Sequence, residues 1–139
     1  MSLSELEVGA AAFSASFTVE RSHLAAYAEA SGDRNPIHLD EAAAKAAGLP
    51  DVIAHGMYTM GLVSRAVLEW AAEAAPEARL TDFSARFAKP VVVPAVGGAV
   101  VAIDAKVRKA DGDSVELAIT VTSGGERVLA PSRATLAAK

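Results

Sequence analysis

With 139 residues and a hydrophobic fraction of 52%, the chain can bury a substantial core as one domain but not two. A net charge of −4, no basic run and only 5% aromatic residues exclude a nucleic-acid-binding profile, and the absence of cysteine removes disulfides, thiolate catalysis and cysteine-ligated metal. No apolar run approaches the roughly 20 residues that cross a bilayer. The acidic opening MSLSELEVG lacks the cationic start and apolar stretch of a signal peptide, so the expectation is a cytoplasmic protein.

Charge is uneven along the chain. Residues 1–80 carry 5 basic and 11 acidic side chains, whereas residues 81–139 carry 8 and 6. Within the second part, Arg86 and Lys89 form a local basic pair suited to one phosphorylated ligand.

In chain order, residues 12–19 (AFSASFTV) alternate loosely and predict a strand. Thr18 is the candidate cap of a helix from about Glu20 to Ser31, with Leu24, Tyr27, Ala28 and Ser31 on one face and Gly32 as a left-handed stop. Asp33-Arg34-Asn35-Pro36 is dense in turn formers, and Pro36 keeps Asn35 out of the helical region, so Asp33 and His38 are loop residues. Asp40 reads as the cap of a short helix with a Glu41/Lys45 pair, closed by Gly48. From Gly56 to about Glu73 the pattern is helical. The first half of that helix is apolar nearly all round, which predicts a buried helix.

After Pro76 the period changes from 3.6 to 2. Residues 79–88, 99–109, 115–122 and 126–137 predict strands. Asp111-Gly112-Asp113 and Ser123-Gly124-Gly125 supply turns, and Pro90 and Pro94 bracket a stiff extended link. Pro131 inside the last strand argues for a bulge or an edge position. The order predicts an α+β fold in which one antiparallel sheet wraps a central helix over residues 1–139, with an open edge that a second copy can extend.

Two clusters carry chemistry. Gly32 to Pro36 taken alone is a turn whose aspartate bonds backbone amides. His38 beside it, in a loop stiffened by Pro36, turns the pair Asp33 and His38 into a candidate general acid–base couple. His55-Gly56 opens the apolar helix. There His55 reads as a capping or core-satisfying histidine, and the Gly56 amide as a donor to a developing oxyanion. His23, His38 and His55 are the only histidines and lack HExxH or paired-ligand spacing, so no metal site is expected. No GxSxG nucleophile elbow and no phosphate or dinucleotide glycine motif occurs.

The block YAEASGDRNPIHLD, followed by IAHGMYTMG, resembles the hydratase signature of MaoC-like (R)-specific enoyl-thioester hydratases and (3R)-hydroxyacyl-thioester dehydratases. LEVGAAAFSASFTV and RFAKPVVVPA are also similar to family segments, so the resemblance covers nearly the whole chain. The look is nearest to B-type catalytic subunits of acyl-carrier-protein dehydratases. The resemblance implies a hotdog fold, pairing with an identical or related hotdog subunit, and a site near the subunit interface. It implies reversible hydration of trans-2-enoyl thioesters in fatty acid metabolism, a carbon–oxygen lyase reaction without cofactor. By this resemblance Asp33, His38 and Gly56 are catalytic, Asn35 orders the loop and touches ligand, and Ser64 supports the acid.

Arg86 and Lys89 are candidate phosphate contacts to coenzyme A or acyl carrier protein. A thioesterase on the same fold and a non-catalytic acyl-binding subunit of a heterodimeric dehydratase remain as alternatives, and the acid–histidine pair weighs against both. Acyl chain length, carrier, identity of the partner subunit and physiological direction stay open at this level.

Overall fold

The computed structural model describes residues 3–138. After a 3-10 turn at Leu3–Glu5, β1 (Ala11–Val19) leads into α1 (Arg21–Ser31). A 3-10 turn at Pro36–His38 and the short α2 (Glu41–Ala46) precede the 19-residue α3 (Gly56–Ala74). Four strands follow: β2 (Ala78–Phe87), β3 (Ala99–Ala110), β4 (Ser114–Ser123) and β5 (Glu126–Ala138). They join β1 in one antiparallel sheet of order β1-β3-β4-β5-β2.

Alternation in the sequence decides which face of the sheet is covered. In β4, Val115, Leu117, Ile119 and Val121 are buried, and in β3, Val101, Ile103, Ala105 and Val107 are. These side chains share one face because side chains of a strand point alternately to its two sides. They meet α3 through Leu62, Val63, Ala66, Val67 and Ala71, which recur at helical three-and-four spacing. The sheet therefore curls around one face of α3. The expected all-round burial of the first half is not met: Met57 is 61% exposed, because the sheet lies on one side of the helix only.

One other expectation is corrected, and a second is narrowed. Thr18 does not cap α1; it lies in β1 opposite Val100. The cap is Glu20, whose side chain accepts from the His23 amide while the Glu20 amide donates 3.0 Å to His23 Nδ1, a reciprocal box that gives His23 a structural task. Pro131 sits in a bulge, as expected, but not at an edge, since β5 lies between β4 and β2. The register steps from Ala85 opposite Ser132 to Phe87 opposite Leu129, so β5 has one more residue than β2 across the Ala130–Pro131 step.

Candidate active site

Three pieces of chain converge at the start of α3. Gly32 ends α1 with φ 81°, a left-handed conformation that glycine adopts without penalty, and turns the chain into the Asp33 loop. That loop is bonded to itself. The Asn35 amide donates 3.2 Å to Asp33 Oδ1, and the Ile37 amide donates 3.3 Å to Asn35 Oδ1. The loop is then fastened to the segment before α3: the Ile53 amide donates to Ile37 O at 3.2 Å, and His38 Nδ1 bonds Ile53 O at 2.7 Å.

A second ladder holds residues 52–54 against the link after β2, with Ala54 N to Val91 O at 2.9 Å and Val93 N to Val52 O at 2.8 Å. Arg21 clamps this region from α1, donating to Val93 O and pairing with Asp51 at 2.6 Å and Glu41 at 3.3 Å.

A carboxylate oxygen of Asp33 and one ring nitrogen each of His38 and His55 lie within 4.8 Å of one another. Asp33 is exposed, whereas His38 is only 8% exposed and His55 2%. A carbonyl can only accept, so His38 Nδ1 carries the proton that bonds Ile53 O, and Nε2 keeps its lone pair. The same logic puts a proton on His55 Nε2, which donates 3.0 Å to the backbone carbonyl of Asp33. The two imidazoles stack at 3.9 Å and 25°, so their in-plane lone pairs run side by side instead of converging. Because the two rings lie nearly parallel, the trio fits a hydrogen-bonded cluster better than a tetrahedral ligand set. Tyr27 packs against His55 with ring centroids 4.7 Å apart and meets Tyr58 edge-on, and burial pushes the Tyr58 phenol above its ordinary value.

Beside the cluster lies a cleft of about 400 Å³. His38, Gly56, Thr59, Phe87, Lys89 and Leu129 are among its lining residues. Helix α3 begins without a side-chain cap; the Tyr58 and Thr59 amides donate to His55 O, whereas the Gly56 amide, at the first helical position, has no carbonyl of its own helix to reach. Gly56 is also crowded: a methyl there would lie 2.7 Å from Phe87 Cε1. Asp33 does not line the cleft, but its carboxylate lies within 4.8 Å of a nitrogen of His38, which does. A histidine nitrogen and a free amide at one apolar cleft, with a carboxylate beside them, suit proton transfer next to a carbonyl.

Residues 8–125 match the family described as MaoC like domain. The chain belongs to the MaoC-like family. It is similar to 3-hydroxyacyl-thioester dehydratase X of Mycobacterium tuberculosis, with 47% identity over 79 residues, covering 55% of this chain and 25% of that protein. The chain thus spans about a quarter of the length of that relative. Among solved structures, a MaoC-like dehydratase superposes with TM-score 0.90 at 31% identity, over 99% of this chain and 42% of the other. The R-hydratase PhaJ1 from Pseudomonas aeruginosa gives TM-score 0.78 at 30% identity, over 99% of this chain and 84% of the other. The MaoC-like hotdog fold is thus the fold of this chain.

Of the residues singled out in this MaoC-like sequence, Asp33, Asn35 and His38 share the loop, and His38, Gly56 and Lys89 line the cleft. Ser64 lies two turns along α3 and donates to Gly61 O at 3.0 Å; it is not a lining residue. Arg86 is exposed on β2 and likewise does not line the cleft. Phe87 and the buried Thr59 were not anticipated. Thr59 follows Gly56 by three positions on the helix, a spacing that places both on one face and would have nominated it. No helix among the described residues is long and apolar enough to cross a membrane.

Proposed function

We propose that this chain catalyses the reversible hydration of trans-2-enoyl thioesters to (3R)-hydroxyacyl thioesters in fatty acid metabolism. One observation carries the reading: the Asp33 carboxylate and a His38 nitrogen stand within 4.8 Å of each other, and His38 and Gly56 line one cleft. Water is held between Asp33 and His38, and Nε2 takes a proton as the water oxygen bonds to C3. The electron pair of the C2–C3 double bond moves toward the thioester carbonyl, whose growing charge is met by the Gly56 amide. A proton then passes to C2, so both hydrogens of the water end in the product and the enzyme returns unchanged. The hydroxyacyl thioester loses water by the same steps reversed.

The R-hydratase relative supports the 3R configuration. Lys89, exposed at the cleft, is the phosphate contact we assign, to coenzyme A or to the arm of acyl carrier protein. A second hotdog subunit, identical or related, is proposed to cover the exposed Met57 and Phe87, which are 61% and 57% exposed. The test is loss of enoyl absorbance with crotonyl-CoA and longer enoyl thioesters on both carriers, with chiral analysis of the product and sedimentation of the active species. Water addition giving the 3R product from a paired species is expected. Release of free thiol with the double bond intact would instead make the protein a thioesterase.

A further inference from the structure

His55 is a poor choice of residue on stability grounds alone. It occupies the cap position of α3, where serine, threonine, aspartate or asparagine would bond a first-turn amide, and its side chain makes no such bond. It is 2% exposed, and its Nδ1 is buried without a hydrogen-bond partner. Buried polar atoms are nearly always paired, and leaving one unpaired is unfavourable. What the ring does make is specific. Its Nε2–H reaches the Asp33 carbonyl across 22 residues of sequence, and its face lies 3.9 Å from the His38 ring. Local rules of stability are broken most often where a residue serves a site.

We propose that His55 is a positioning residue that sets the distance and angle between Asp33 and His38. It acts through the Asp33 backbone and the His38 ring and touches no reacting atom. One ring thereby registers both halves of the acid–base pair: the hydrogen bond fixes the loop at residue 33, and the stack fixes the plane in which His38 Nε2 presents its lone pair. Tyr27 adds a further contact, its ring tilted 60° to that of His55 with centroids 4.7 Å apart. The role rests on the hydratase reading for its effect on turnover, but not for its effect on the loop.

Two variants separate the two contacts. His55→Phe keeps a ring for stacking and loses the donor; it also removes the unpaired Nδ1. His55→Gln keeps an N–H donor and loses the stack. Turnover is measured with the enoyl thioester that wild type uses best, beside hydrogen exchange of the Asn35, Ile37 and His38 amides and a thermal melt. Both variants are expected to lose about tenfold to a hundredfold in kcat with KM within about twofold. The loop amides in His55→Phe should exchange roughly fivefold faster or more, with α1 unchanged. His55→Gln should stay nearer wild type in exchange, and the Tm of His55→Phe should remain within about 4 °C of wild type.

Wild-type kcat and loop exchange in His55→Phe would overturn the proposal. So would a loss of activity that only tracks a fall in the folded fraction. The exchange comparison needs no substrate. If wild type hydrates none of the thioesters, the hydratase reading fails while loop protection still decides for or against His55.

Discussion

The two nitrogens of His38 have different tasks. Nδ1 is tied to Ile53 O at 2.7 Å, which fixes the tautomer of the neutral ring and leaves Nε2 with the lone pair that proton transfer requires. Gly56 contributes differently, through the absence of a side chain. A Cβ there would stand 2.7 Å from Phe87 Cε1, so Gly56→Ala keeps the amide yet pushes the ring into the cleft. We expect kcat/KM for enoyl-thioester hydration to fall by about tenfold or more in Gly56→Ala. Adding Phe87→Ala should recover a large part of the loss, because the obstructing ring is gone. No recovery in the double variant would mean that the methyl harms the amide itself. The placement of Asp33 and His38 around one turn and of Gly56 at a helix start was readable from sequence, because turn formers and a helix start leave local signals. The bond of His55 to Asp33 was not, since nothing local reveals a partner 22 positions away.

At the level of elements, the loop that carries Asp33 is launched by the end of α1. Gly32 has φ 81° and nothing within 4 Å of a built Cβ, so any cost of Gly32→Ala is backbone strain and not a clash. That conformation costs an L-residue about 1–2 kcal/mol, and urea unfolding of Gly32→Ala should show a loss of about that size together with reduced kcat. An unchanged midpoint would mean that the turn relaxes freely. The helices were legible within a residue or two because α1 stops at Gly32, α2 just before Gly48 and α3 just before Pro76, and the apolar spacing of α3 is regular. The start of α1 was misassigned for a physical reason. Thr18 is a good capping residue by type, but β-pairing with Val100 claims it, and Glu20 with His23 forms the box instead. Pro131 signalled a bulge or an edge, and the bulge is what forms. A proline avoids sheet interiors unless a bulge removes the need for its amide, and here the bulge does so.

For the whole molecule, strand positions could be read from alternation, but the order β1-β3-β4-β5-β2 could not, because periodicity carries no information about which strands are neighbours. That order puts β2 and Phe87 at an edge and so opens the cleft there. It also brings Arg108 of β3 beside Glu116 of β4. The Arg108 hydrogen bond, opposed by burial and aided by the positive charge of Arg108, holds the Glu116 carboxyl below its ordinary 4.5. A carboxyl lowered in the folded state adds stability that is complete above about pH 4.5 and disappears as pH falls through the lowered value. Glu116→Gln should therefore lower Tm slightly at neutral pH and flatten the fall of Tm below pH 4.5. Parallel curves for the two proteins across that acid range would contradict the pairing.

The most direct test of the acid–base pair is a double-mutant cycle on turnover. Wild type, Asp33→Asn, His38→Ala and the double variant are compared with crotonyl-CoA, or with the enoyl thioester that wild type uses best. If the two groups act on one water as a unit, each single substitution removes at least about a hundredfold in kcat, and the double variant is no worse than the poorer single. Single losses that multiply in the double variant, or activity that survives both substitutions, would contradict the account.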